Sequence, residues 1–415
     1  MFWEKFSHDS INQQVEQALQ QNINLTKEAV LGIPGTYLDE DEFYNDAPFL
    51  QDAPFLRTLI ANPNHIGCHT LAEEQTTYFK GTHKLEVDLI RICAEQIFKG
   101  EPEQQDGYVT PGGTEANIQA LWIYRNYFMR EKQAKPQEIA VLYSQDSHYS
   151  MPKGVNLLGL QARILQVDED TRNILQDDLE QAVQELQKQG VKHFIVVLNL
   201  STTMFGSVDD IDRITDYLNR QQLDYRLHID AAFGGFIYPF TNPESKFTFQ
   251  NPNITSITID AHKMLQTPYG TGIFLIRKGW MNYVCTDEAQ YIPGKDYTLC
   301  GSRSGANAIS VWMILRRHGS DGWRLKMQNL NDRTTRLCTK LNELGVEYFR
   351  NPHINIIAIK SSHISKKLAE KYHLVADSYE FEPKWFKIVV MPHVRQGILD
   401  QFINELKAER QLISN

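Results

Sequence analysis

The segment ITIDAHKMLQTPYG, residues 257–270, alternates apolar and polar residues as far as Asp260 and then sets His262 beside Lys263. Lysine is among the residues least often fully buried. A lysine delivered by a strand of this kind either reaches water past the strand end or reacts with something inside. Its amine is a nucleophile only when neutral, which takes desolvation or a nearby positive charge. A second run, YRLHID (225–230), ends in Asp230 and is followed by AAFGG. A carboxylate there needs a partner, because an unpaired buried charge is costly. The small residues after it leave room for a flat group.

Three further segments follow apolar runs. YVT (108–110) leads into PGGTEAN, where Gly112 and Gly113 permit a tight turn, Thr114 can cap, and a helix follows. Amides at such a helix start bind anions. The loop is neither a Walker A sequence nor GxGxxG, and alone it reads as an ordinary strand–turn–helix. IAVLYS (139–144) is followed by QDSHYSMPKG with His148, and a lone histidine is more often structural than catalytic. HFIVVLNL (193–200) is followed by STTMFGSVDDI with Thr202 and Thr203, which simple capping would explain. Together the segments match the needs of pyridoxal phosphate (PLP): a lysine for a Schiff base, an acid for the pyridinium nitrogen, an anion cradle at a helix N-terminus and a flat group against the ring. His and Cys residues show no metal-ligand spacing, and no GxSxG elbow is present.

The elements that must carry these residues are legible from about residue 105. The four runs above are joined by ARILQV (162–167), ITSITID (254–260) and TGIFLI (271–276), with helix candidates at 115–132, 177–189 and 209–221. Such alternation implies an α/β fold with a mostly parallel seven-stranded sheet and helices on both faces. Ligands of these sheets bind beyond the carboxyl ends of the strands, where the residues above fall. Residues 306–345 read as helical, HINIIAIK (353–360) and KIVVMP (387–392) as strands, and 396–409 as a closing helix, which makes a smaller α+β unit. Ahead of the sheet, Ile11, Val15, Leu19 and Ile23 mark one face of a helix over 10–24 capped by Ser10. DAPFL occurs at 46–50 and again at 52–56, a spacing that fits no solenoid. The expected divisions are an N-terminal arm (1–60), a large cofactor-binding domain (61–310) and a small C-terminal domain (311–415).

The chain of 415 residues is 42% hydrophobic and 22% charged, ordinary for a globular protein and long enough for two domains. A net charge of −9 and a pI near 5.8 argue against nucleic acid or an anionic membrane as partner. The N-terminus lacks a secretory pattern and the chain lacks an apolar run of membrane-spanning length. Five scattered cysteines without a CxxC pair read as free thiols in a reducing cytoplasm.

The stretches GYVTPGGTEAN, DSHYSMPK, STTMFGSVDDI, HIDAAFGG, DAHKM and TLCGSRSG, continued by MPHV near the C-terminus, resemble the pyridoxal-phosphate group II amino-acid decarboxylases of fold type I, the aspartate-aminotransferase-like fold. The resemblance is nearest to the shorter branch that includes bacterial histidine decarboxylases and plant serine decarboxylases. It implies PLP-dependent release of CO2 from an L-amino acid, leaving the amine, by a homodimer with a shared active site. It implies that Lys263 forms the Schiff base, that Asp230 pairs with the pyridine nitrogen, that His148 stacks on one ring face and that Ala232 packs on the other. Gly113, Thr114 and His262 would contact the phosphate. Thr203, with Thr202 as the second candidate, would lie near the ring hydroxyl or the carboxylate. Ser302 would reach the phosphate of the neighbouring subunit. In the family a mobile loop carries a tyrosine that protonates Cα; within CTDEAQYIPGKDYTLC (285–300) Tyr291 fits by spacing, with Tyr297 as the alternative. Asp260, three residues before the lysine, has no ligand role in the family pattern.

An aminotransferase would need the same Lys263 and Asp230 and an arginine for the α-carboxylate, for which Arg395 is the candidate; His148 favours decarboxylation. A catalytically silent homologue is the other alternative, and the intact Lys263 and Asp230 speak against it. GSRSGA in place of GSRNGH and AHK in place of SGHK leave aspartate, glutamate, aromatic and diamino acids open as substrates.

Overall fold

The computed structural model describes residues 28–32, 54–67, 79–286 and 295–413, together with Asp9. The helix expected over 10–24, the first DAPFL and Tyr291 lie outside the described residues. Helices α1 (Pro54–Ala61) and α2 (Lys80–Arg91) precede a seven-stranded sheet. Its strands are β1 (Gln105–Thr110), β2 (Ile139–Ser144), β3 (Gln161–Leu165), β4 (His193–Asn199), β5 (Asp224–Asp230), β6 (Ile254–Asp260) and β7 (Gly272–Arg277). The spatial order is β1-β7-β6-β5-β4-β2-β3. Every pairing is parallel except those that β7 makes with β1 and β6. Each of the seven apolar runs is a strand.

Helices α3 (Gly113–Glu131), α4 (Ser150–Leu158), α5 (Gln176–Lys188) and α6 (Ile211–Arg220) cover the sheet. Side chains alternate between faces along a strand, and the core divides accordingly. Ile139, Val141, Ile195 and Val197 pack with Ala120, Leu121 and Tyr124 of α3. Ala140, Leu142, Val196 and Leu198 pack in the opposite core with Leu179 and Val183 of α5 and Ile214 and Leu218 of α6. Helix α4 was not expected from the sequence. Pro152 occupies its first turn, where a missing N–H is tolerated, and Gly159 ends it in the left-handed region at φ 63°.

Helix α7 (Gly305–Glu343) leaves the large domain, breaks at Gly319 (φ 59°, ψ 176°) and continues toward the second sheet. That sheet has strands β8 (Tyr348–Phe349), β9 (Ile356–Lys360), β10 (Val375–Ala376) and β11 (Trp385–Val389), all antiparallel, in the order β10-β11-β9-β8. Helices α8 (Lys366–Lys371) and α9 (Gln396–Ile413) complete it. Among the described residues no helix is long and apolar enough to cross a membrane, and Cys93, Cys285, Cys300 and Cys338 are free.

Candidate active site

The period of two that buries Leu227, Ile229, Ile257 and Ile259 on one side of the sheet sends His228, Asp230, Ser256, Thr258 and Asp260 to the other. A register shift after Leu227 pairs His228 with Ser256 and Asp230 with Thr258. This polar column is answered from α3. Asp230 Oδ2 accepts from Asn117 Nδ2 at 2.9 Å, and its Oδ1 accepts from the Ala232 N–H at 3.1 Å. Asn117 Oδ1 lies 2.9 Å from His228 Nε2, and His228 Nδ1 lies 2.6 Å from Ser256 Oγ, which also bonds Tyr124. Burial pushes the His228 imidazole down to about 4 against the pull of Asp230. The ring is therefore neutral at pH 7, with its Nε2 proton on Asn117. That proton sets the orientation of the amide and directs its N–H groups to Asp230 and to Ser150 Oγ, 2.9 Å away. The Ser150 N–H donates to His148 Nδ1 at 3.2 Å, with Ser150 Oγ 3.0 Å from the same nitrogen. His148 thus accepts at Nδ1 and carries its proton on Nε2. Burial holds its pKa below the usual histidine value.

Lys263 stands on a π-helical turn, Ala261–Leu265, that follows β6 and ends at Gln266 in the left-handed conformation (φ 58°). π-turns are rare and frequent at functional sites. Lys263 Nζ lies 3.2 Å from Asp260 Oδ2, and His262 Nε2 lies 3.7 Å from the same oxygen. Asp260 Oδ1 and His262 Nδ1 are buried without a hydrogen-bond partner among the described residues. The first turn of α3, whose amides a helix cannot satisfy itself, abuts this group. A Cβ on Gly113 would stand 2.8 Å from Asp260 Oδ2, so only glycine lets the helix start approach so closely.

These groups line a cleft of about 500 Å³ that includes Gly113, Thr114, His148, Tyr149, Ala232, Asp260, His262, Lys263, Leu299 and Cys300. Asp230 lies behind it, reached through Ala232 and Asn117. A second cavity of about 540 Å³ shares His148 and Tyr149 and is walled by Arg172, Thr203, Phe205, Trp385 and Lys387 from both domains. Thr203 is exposed there, whereas Thr202 is buried with its hydroxyl 2.7 Å from Ser207 Oγ. Ser302 Oγ accepts from Asn64 Nδ2 at 3.2 Å and is not a wall of either cavity within one chain. The Tyr297 carbonyl accepts from Gln119 at 2.8 Å and its ring packs on the core beside α3. Arg395 is exposed and lines neither cavity.

Three residues at the site carry no role in the sequence reading. Asn117 follows Gly113 by four residues, the spacing that returns a helix to the same face. Asp260 precedes Lys263 by three. Lys387 is a cation in an apolar strand, buried at 4% exposure. Burial, and secondarily the charge of Lys263, push its ammonium down to about 8. Its Nζ donates to the Thr203 carbonyl at 3.2 Å.

The strand order, the appended α+β domain and the lysine at the carboxyl edge define a fold-type-I PLP architecture. Residues 66–358 match the pyridoxal-dependent decarboxylase conserved domain. The chain belongs to that family, and its activity is the PLP-dependent decarboxylation of an amino acid to an amine and CO2. It is 45% identical to the tryptophan decarboxylase of Clostridium sporogenes over 98% of this chain and 97% of that one. It is 28% identical to the histidine decarboxylase of Vibrio campbellii over 81% of this chain and 83% of that one. Among solved structures it is similar to the sphingosine-1-phosphate lyase of Burkholderia pseudomallei, with a TM-score of 0.79 at 16% identity over 99% of this chain and 92% of that one. At that identity the likeness speaks for the fold alone.

Proposed function

We propose that the substrate is an aromatic L-amino acid, tryptophan foremost, and that its decarboxylation yields the arylalkylamine. The observation that carries this reading is the 45% identity to a tryptophan decarboxylase along nearly the whole of both chains. The cleft agrees with it: the Tyr149 ring, 61% exposed, lies against His148 with centroids 3.9 Å apart and offers a flat wall.

The residues present fit PLP. Gly113 leaves a cradle at a helix start, His262 Nδ1 is a buried nitrogen without a hydrogen-bond partner among the described residues, and Asp230 is a buried carboxylate held by neutral donors. When bound, the cofactor supplies the sink for the electron pair left at Cα as CO2 departs. In this reading Lys263 provides the amine that attaches it. Asp230 keeps the pyridine nitrogen protonated, because a buried carboxylate without a cation favours a positive neighbour. His148 and Ala232 hold the ring from its two faces, and Gly113, Thr114 and His262 hold the phosphate. Thr203 and Lys387 serve the side where the two cavities meet, with Lys387 placed to attract a carboxylate. Proton delivery to Cα falls to a tyrosine of the 285–300 segment, Tyr291 foremost and Tyr297 as the alternative. The working unit is a cytoplasmic homodimer, Ser302 and the tyrosine segment serving the neighbouring site. Residues 61–310 form the cofactor domain and 311–415 the small domain.

The test is CO2 and amine release from a panel of aromatic, acidic, basic and imidazole amino acids by the PLP-loaded protein. Tryptophan is expected to turn over fastest, with Lys263→Ala abolishing both turnover and the visible absorption band. Faster turnover of an acidic or basic amino acid would overturn the aromatic assignment.

A further inference from the structure

Ser302 and Arg303 are neighbours with opposite surroundings. Their segment pairs with the stretch before α2. The His65 N–H donates to the Arg303 carbonyl at 3.0 Å, the Gly67 N–H donates to the Gly301 carbonyl at 3.1 Å, and Asn64 bridges Ser304 in antiparallel fashion. Side chains alternate along such a ladder. Ser302 is exposed, and Arg303 is turned inward at 6% exposure. The Ser302 hydroxyl accepts from Asn64 Nδ2 at 3.2 Å, which leaves its own proton to donate to an anion.

The buried guanidinium reaches the other end of the site. Arg303 Nη1 donates to Glu86 Oε1 at 2.7 Å and to the Val109 carbonyl at 2.8 Å. Glu86, buried on α2, accepts the Val109 N–H at 2.7 Å on the same oxygen and His65 Nδ1 on the other. β1 is an edge strand, so alternate N–H and C=O groups lack a neighbouring strand. At Val109 one ion pair takes that place and holds both groups. Thr110 then ends β1, and Pro111, Gly112 and Gly113 turn the chain into the anion cradle. A buried pair of opposite charges is costly to break from either side. A shift at residue 302 or at residue 109 would therefore have to disrupt the same bonds.

We propose that Arg303 is a positioning residue that links the two phosphate sites of a dimer: through its buried pairing with Glu86 it fixes Ser302 for the partner's site and the end of β1 for its own chain's cradle. The inference rests on the cofactor and shared-site readings above.

Mixed dimers separate the two directions. One chain carries Lys263→Ala, so the visible band reports PLP only at the site that keeps its lysine, and Ser302 of the lysine-free chain serves that site. Ser302→Ala in the lysine-free chain is expected to weaken PLP binding at the intact site by about tenfold, through loss of a hydrogen bond to an anion. Arg303→Gln in the same chain is expected to weaken it to a similar degree, and the two changes together no more than either alone. In the chain that keeps Lys263, Arg303→Gln is expected to weaken binding as well, through Val109, whatever residue that chain has at position 302. Arg303→Gln acting only in the chain that keeps Lys263, or adding in full to Ser302→Ala, would overturn the proposal, because a purely structural role predicts either. Should Arg303→Gln fail to fold, Glu86→Gln keeps the shape and removes the charge facing Arg303, and the same outcomes decide. The earlier readings fail differently: without PLP no dimer shows a band, and without a shared site Ser302→Ala in the lysine-free chain leaves the intact site unchanged.

Discussion

Asn117 Nδ2 lies 2.9 Å from Asp230 Oδ2, so the innermost carboxylate of the site is held by an amide and not by a cation. Among the described residues Asp230 makes no ion pair. A carboxylate satisfied by neutral donors keeps its charge for a ligand, whereas one already paired with arginine or lysine would have spent it. The amide is oriented in turn by His228, 2.9 Å from Asn117 Oδ1.

Replacing Asn117 by leucine keeps the volume and removes the donor. Asp230 and the His228 Nε2–H would each lose a buried partner, at a cost of about 1–3 kcal/mol apiece. The urea midpoint of the cofactor-free protein should fall accordingly, and PLP affinity, read from the visible band, should fall with it.

Stability should weaken in mild acid. The His228 imidazole titrates at about 4 when folded, against 6.5 when free. Above pH 6.5 neither state holds the proton. Between 6.5 and 4 the unfolded chain binds it and the folded one does not, so stability declines as pH falls. The full loss from this residue is roughly 3 kcal/mol, reached below pH 4. His393 is lowered by burial to about 4 as well. His228→Asn should therefore remove part of the histidine-linked slope in urea unfolding measured from pH 7 to pH 5, leaving the part that His393, His148 and His262 contribute.

Lys387 should show function and stability in opposition. Its ammonium is pushed from 10.5 to about 8 by burial and by Lys263. Stability present above pH 10.5 is lost as pH falls toward 8, and at pH 7 the folded protein carries the whole cost. Lys387→Met should then raise stability at pH 7 by up to about 3 kcal/mol, seen as a higher melting temperature. The same change should raise KM for an amino acid by about tenfold through loss of a buried cation.

The strands were legible because β2, β4 and β6 are runs of apolar residues bounded by turn residues, a pattern that needs no tertiary partner to be read. Helix α4 was not, because Pro152 and Gly154 are ordinary breakers whose tolerance depends on position within the first turn and on contact with Leu121 of α3. Lys263, Asp230 and His148 stood out because each falls at or just past the end of a strand that stops abruptly. Asn117 did not stand out, since an asparagine in a helix has no distinctive pattern until a carboxylate from another strand lies beside it. Asp260 was set aside in favour of Asp230, yet it is the residue that meets Lys263.

By itself, the sequence determined the seven strands, their alternation with helices and the delivery of a lysine, an aspartate, a histidine and a glycine turn to one edge. Local periodicity and strand ends are properties of consecutive residues, so they can be read one segment at a time. Only the tertiary structure decided which oxygen faces Lys263, that Thr203 and not Thr202 opens to a cavity, and that Lys387 is buried beside it. Those outcomes depend on distances of a few ångströms between elements far apart in the chain, and on the desolvation that only packing creates.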